Sequence, residues 1–259
     1  GASILSSNTG MAYIVPSNSL VGADASLTVN AGTVIKPGGI DCWYLNGGNI
    51  RVAGILTVSG TLTNPVIFTS TRDDAYAGDT NNDGSASPAA GDWGAIQIDA
   101  TGTANIEHAL IRYGGGCWGN TLRNESGALT MTGTTVEYGK GPGIAQNGGT
   151  LSVISSTFAH NDTGIALGTS IGAPTLDHVV FSANKTGLFV TGNYTPVLTQ
   201  CSFVGNTDYG LNNNTLNLVN AVNSWWGSDT GPRHATNPTG TGDTVSDGVI
   251  FTPFLSAAP

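Results

Sequence analysis

Short apolar runs closed by a large residue recur along the second half of the chain. Ile111, Val136, Phe158, Phe181, Phe203 and Trp225 each end a β-prone run, at steps of 25, 22, 23, 22 and 22 residues. A second register keeps pace with the first: Gly143, Gly164, Gly187 and Gly210 precede Ile144, Ile165, Leu188 and Leu211. A constant period of this length is the signature of stacked coils. Three residues after each phenylalanine stands an asparagine, Asn161, Asn184 and Asn206. Asparagine tolerates left-handed backbone and bonds its own neighbours, so it suits a tight turn, and stacking predicts an internal ladder of amides. No segment of helix length carries an uninterrupted i, i+3, i+4 apolar stripe, whereas Val, Ile, Thr and aromatic runs bounded by Gly, Asn and Pro are frequent. The pattern predicts many short strands and almost no helix.

A coil of about 22 residues, at roughly 3.3 Å per strand residue, holds three short strands and three turns. That is a parallel β-helix, whose inward side chains are buried only by the coils above and below and whose ends need caps. Parallel crossovers are right-handed by strong default. The expected fold is therefore all-β, a right-handed single-stranded parallel β-helix forming one domain over 1–259. Within it the pattern assigns an N-terminal cap to 1–26, coils to 27–222 with a loop insertion at 71–92, and a C-terminal capping segment to 223–259.

Two stretches carry a family resemblance. The N-terminal third, with GTVIKPGG, IRVAGILTVSGTLTNPVIFTS and DTNNDGSASPAAGDWGAI, is similar to right-handed β-helix repeat domains of secreted and surface-attached bacterial proteins, within the pectin-lyase-like superfamily. The end, NSWWGSDTGP followed by GDTVSDGVIFTPFL, resembles the segment that closes the last coil of such domains. The resemblance implies a fold and an exported, cell-surface setting. Function stays open, since such domains serve adhesins, wall-associated proteins and polysaccharide-active enzymes.

Charge narrows the partners. Only 10% of residues are charged and the formal net charge is -9, which argues against nucleic acid and anionic membranes. No run of 18 apolar residues is present, so no membrane-inserted segment is expected. The opening Gly1-Ala2-Ser3 reads as a scar or a processed end, and the chain is expected to be part of a larger exported, multidomain protein. Three cysteines leave at least one thiol free. Cys201 shares the inward face of Phe203, and a bridge between Cys42 and Cys117 is open.

The sharpest chemical motif is Asp79-Thr80-Asn81-Asn82-Asp83-Gly84. Oxygens at positions 1, 3 and 5 and a glycine at 6 match the first half of a calcium loop. Ala90 stands at the twelfth position and cannot ligate, so this is not an EF-hand. The expected structural Ca²⁺ set is Asp79, Asn81, Asp83, the carbonyl of Ser85, and Asp92, with Asp73 and Asp74 as further candidates. The competing reading is an Asx-rich surface turn that satisfies its own backbone.

Three functional classes follow. Aligning coils on the phenylalanines puts Lys140, Asp162 and Lys185 in one column about 4.8 Å apart per step, which suits either a small lyase or hydrolase site on an outer face or a surface charge ladder. The ladder is the preferred reading, because no position gathers three carboxylates. Arg112 and Glu137 stack as a surface ion pair, and His108 and His178 recur at one repeat position as turn residues. The second class is recognition of an extracellular polysaccharide or surface glycan, with Trp118, Tyr113, Tyr138, Trp43 and Tyr44 as contact candidates. Trp93 and Trp225 are expected to fill loop bases and caps. Ice binding is the third, weakened because Thr130-Met131-Thr132 and Thr101-Gly102-Thr103 do not repeat at the coil period. The sequons at Asn161, Asn184 and Asn193 are accounted for by turn chemistry. The sequence thus favours a calcium-stabilised, rigid adhesin-type module that recognises carbohydrate over an enzyme.

Overall fold

The structure, a computed structural model, describes residues 1–16, 18–38, 50–116, 119–168 and 172–259. Among them every regular element is a strand. The chain visits three sheets in turn and each sheet gathers eight parallel strands, so eight coils stack over residues 2–21, 26–52, 55–98, 103–124, 128–146, 150–167, 175–190 and 197–213. Coil 5 shows the plan: Ala128–Thr132 in the first sheet, Thr135–Glu137 in the second and Pro142–Gln146 in the third. Among the described residues no helix is long and apolar enough to cross a membrane.

The first 26 residues, assigned to the N-terminal cap, form a coil. Ala2–Leu5 pairs in parallel register with Ser26 to Val29, and two more strands complete a first coil. Alternating runs such as ASIL and AYIV are enough for ladder pairing even though Ile4, Met11, Ile14 and Leu20 remain largely exposed. At the other end Val219–Asn220 pairs with Val249–Ile250, and Pro232–Arg233 with Gly242–Thr244, which closes the solenoid.

Single residues in left-handed backbone make the corners. His108, Gly133, Ser155, His178 and Gln200, at φ of 46° to 57°, turn the chain from the first sheet into the second. Tyr113, Tyr138, His160, Ala183 and Gly205, at 53° to 71°, turn it from the second into the third. Most side chains resist this conformation. Its repetition coil after coil marks it as a requirement of the fold, so the two histidines at one repeat position are corner residues, as expected.

Inside runs one column of large apolar side chains. Ile35, Phe68, Ile111, Val136, Phe158, Phe181 and Phe203 lie in register and are essentially buried. The phenylalanine rings stack at 5.8 and 5.1 Å, and Trp226 stacks on Phe203 at 4.6 Å. Trp225 was the expected last member of that series. It is level with Ser202 instead, so the final step is one residue longer and Trp226 closes the column.

The amide ladder forms beside this column. Asn161 Nδ2 donates to Asn184 Oδ1 (3.2 Å), Asn184 Nδ2 to Asn206 Oδ1 (3.0 Å), and Asn206 Nδ2 to Asp243 Oδ2 (2.6 Å). Each amide also donates to a main-chain carbonyl of the preceding coil, and Gly139 N–H donates to Asn161 Oδ1 at 2.8 Å. A Cβ on Gly139 would stand 2.8 Å from that same oxygen, so only glycine fits above the ladder.

Candidate metal centre and aromatic corner

The insertion at 71–92 leaves the second sheet after Val66–Phe68 and rejoins the third sheet's strand at Ile96–Ile98. Its foot is tied down by named contacts. Lys36, wholly buried, reaches out of Val34–Pro37 and donates Nζ to Gly78 O (2.8 Å) and Thr80 Oγ1 (3.1 Å). Burial pushes this ammonium's pKa down, and the fields of Asp73, Asp74 and Asp79 oppose the shift. Ser70 Oγ and Ala89 N–H both donate to Asp92 Oδ2, at 2.7 and 2.9 Å. Trp93, fully buried as expected of a loop base, donates its indole N–H to Arg112 O at 2.7 Å.

Between these ties the acidic motif closes on itself. Asp79 accepts from the N–H groups of Asp83 (3.3 Å) and Gly84 (3.1 Å), while Asn82 and Gly84 take left-handed backbone. Asp74, Asp79 and Asp83 each present an oxygen within 4.8 Å of the others. Oδ1 of Asp74 is shielded from solvent and has no hydrogen-bond partner among the described residues. Of the carboxylates expected around this loop, Asp79 and Asp83 lie together and Asp74, a further candidate, joins them. Asp92, expected to complete the set, is held by Ser70, Ala89 and, at 3.9 Å, Arg72. The loop turns Asp74 inward instead. Asn81 donates its amide to Asp83 Oδ2 (2.8 Å), and Ser85 is exposed.

Charge around the insertion is unbalanced. Among the described residues, Asp73, Asp74, Asp79, Asp83, Asp92 and Glu137 face Lys36, Arg72 and Arg112, with Lys140 over the foot at Gly91. The surplus sits at the three clustered carboxylates, and three oxygens of this kind with free sites for water suit a hard divalent cation.

Beside the insertion stands an aromatic corner. Tyr113 and Tyr138 stack at 5.6 Å and Tyr138 and His160 at 4.8 Å, the last pair 2° from parallel. Arg112 lies 4.8 to 5.8 Å from the rings of Tyr113, Tyr138 and Tyr76, and pairs with Glu137 (3.0 Å) and Asp73 (3.7 Å). The Arg112–Glu137 stack expected from the sequence is therefore present. Ring faces are largely taken up by one another, so edges and hydroxyls are what the corner offers outward. Tyr138 is the most open of the corner's tyrosines, 37% exposed, and burial pushes the Tyr113 hydroxyl pKa upward. Trp43, Tyr44 and Trp118 lie outside the described residues, as do Cys42 and Cys117. Cys201 is a buried free thiol, pushed up to about 12 by burial.

The Lys140, Asp162, Lys185 column does not form. In the third sheet Pro142 is level with Thr163 and Thr186, which puts Gly141 rather than Lys140 beside Asp162 and Lys185. Counting from the phenylalanine position misses this because the corner of coil 5 is one residue longer than those of coils 6 and 7. Lys140 lies over the insertion's foot at Gly91, and Lys185 pairs with Asp208 at 3.9 Å. On the first sheet, Thr28, Thr57, Asn105, Thr130, Ser152, Thr175 and Val197 do share one column. Glu107, Ile154 and Asp177 interrupt the neighbouring one, so the face is mixed rather than a uniform threonine lattice.

A family model described as right handed beta helix region matches residues 80–224, more than half of the chain. No curated protein and no solved structure matches the chain.

Proposed function

The chain belongs to the right-handed β-helix family, and we propose that it serves as a rigid extracellular, adhesin-type module in which a calcium ion pins the 71–92 insertion and the adjoining corner recognises carbohydrate. The observation that carries this reading is the convergence of Asp74, Asp79 and Asp83 in a loop whose carboxylates outnumber nearby cations. Calcium held there neutralises and cross-links the three carboxylates and supplies no chemistry beyond that. Tyr76 joins Arg112 and the Tyr113–Tyr138 stack from inside the insertion, so fixing the loop fixes the corner. Hydroxyls and ring edges at this corner, with Arg112 behind them, suit a glycan gripped by hydrogen bonds more than one laid flat on a ring. The low charge density and acidic balance fit a secreted or surface-attached setting.

Native electrophoresis through gels cast with neutral and acidic polysaccharides, with calcium or with chelator, tests the reading. Retardation in calcium that is lost in chelator, in Asp79→Asn and in Tyr138→Ala is expected, with the glycan left intact. Migration unaffected by every polysaccharide would refute recognition, and a zone of cleared glycan would make the protein an enzyme.

A further inference from the structure

Four of the five arginines are committed to carboxylates: Arg51 to Asp99, Arg72 to Asp83 and Asp92, Arg112 to Glu137 and Asp73, and Arg123 to Glu125. Arg233 is the exception. It lies exposed in the closing strand Pro232–Arg233, has no carboxylate within ion-pair distance among the described residues, and makes one long hydrogen bond there, Nη2 to Thr241 O at 3.4 Å. In a chain of net charge -9 it is the one arginine without a direct carboxylate contact among the described residues, and Asp243 is the acid whose field it feels.

Two clefts meet at this residue. One, of about 330 Å³, runs between the corner at Gly205–Thr207 and the closing strands, with Trp226 and Asp243 in its wall. The other, of about 430 Å³, is bounded by Tyr209, His234 and Asp247. Arg233 and Thr244 line both. Each is of the size that holds a small ligand. Beside the guanidinium, their open polar groups are chiefly hydroxyls, which donate or accept. The indole N–H of Trp226 is buried with no acceptor. The hydroxyls of Thr207, Thr244 and Tyr209 have no hydrogen-bond partner among the described residues. Asp243 is turned the other way: both its oxygens are consumed by Gly205 N–H, Asn206 N–H and Asn206 Nδ2 at the end of the amide ladder. Burial raises its pKa, and the field of Arg233 across the cleft opposes that shift.

We propose that the paired clefts around Arg233 bind a hydroxylated monocarboxylate, the chemistry of a terminal acidic sugar, with the guanidinium taking the carboxylate and the threonine and tyrosine hydroxyls taking the ring hydroxyls. A guanidinium fork matches a carboxylate in a bidentate manner. A polyanionic chain is disfavoured, because Asp247 at the rim and the overall acidic charge repel a second and third carboxylate. The ligand class rests on the carbohydrate reading above; the site does not, since it lies at the closed end of the solenoid and shares no residue with the aromatic corner.

Ligand-observed NMR with methyl glucuronide, a methyl sialoside, methyl glucoside and acetate tests this on the full chain, its Arg233→Gln variant and its Tyr138→Ala variant. One of the two acidic glycosides should bind, and which one does identifies the acidic sugar. Its affinity should fall about tenfold or more in Arg233→Gln, the loss of a charge-assisted pair. Tyr138→Ala should leave it unchanged even if polysaccharide retardation disappears, which separates this site from the corner. No binding of either acidic glycoside, equal binding by Arg233→Gln, or equal binding of methyl glucoside or acetate would overturn the proposal.

Discussion

Coils 6 to 8 and coils 2 to 4 hold the same cross-section by different means. In coils 6 to 8 one phenylalanine sits on the next, one asparagine bonds the next, and Trp226 and Asp243 end the two series. Nothing along this stretch of core carries a charge until Asp243. In coils 2 to 4 the core is aliphatic apart from Phe68 and Trp93, and the outside is bound by ions: Lys36, Arg72 and Arg112 against five aspartates and Glu137. A repeated neutral ladder is indifferent to salt and metal, since each rung is a buried hydrogen bond or ring contact. An ionic network that is surplus in carboxylate depends on both. The stretch that repeats carries the structure, and the stretch that interrupts the repeat carries the candidate chemistry.

The largest expected effect breaks the regular half. Phe181→Ala removes the middle ring of the stack and should cost about 3–5 kcal/mol, seen as a lower urea midpoint. Asn184→Ala removes the central amide and strands the Asn161 N–H and the Phe158 carbonyl, for about 2–5 kcal/mol by the same measurement. Neither loss should change between low and high salt. Arg112→Ala sharpens the contrast: its pairs are partly open to solvent, so about 1–2 kcal/mol is expected, shrinking as salt is raised. A salt-independent loss in Arg112→Ala would erase the distinction between the two halves.

The smallest effect concerns Cys201. Its folded pKa of about 12 lies above the ordinary 9.0, so the native state holds its proton more tightly than the unfolded chain. The associated stability is full below about pH 9 and is lost as pH rises towards 12. The native thiol should therefore resist a disulfide reagent at pH 8 and react only as the protein unfolds. Cys201→Ala should lack this part of the alkaline decline.

How far the sequence could be read follows the same division. The phenylalanine and asparagine series were visible because each recurs within a residue of one period, and the parallel coils and the ladder were predicted from them. Phe68 and Ile35 belong to the same column, yet the insertion makes the step from Phe68 to Ile111 43 residues and hides the register. One extra residue in the corner of coil 5 moved Lys140 out of the expected column, and one more before Trp226 moved the last ring. Asp243 ends the ladder from 37 residues beyond Asn206, where no local signal points back to it. The acidic loop was recognised from its spacing, but the choice of Asp74 over Asp92 depends on Ser70 and Ala89 claiming Asp92 first. Arg233 is not legible in the sequence because its distinction, the lack of a direct carboxylate contact among the described residues, exists only in the folded arrangement.

Amide hydrogen exchange of the folded protein, followed with calcium and then with chelator, tests the central claim most directly. A calcium-pinned insertion on a self-sufficient neutral ladder predicts slower exchange in calcium across 73–92 and at the Tyr113–Tyr138 corner, with coils 6 to 8 unchanged, and no response in Asp79→Asn. Equal exchange at 73–92 in both conditions, or protection spread evenly along the solenoid, would contradict the account.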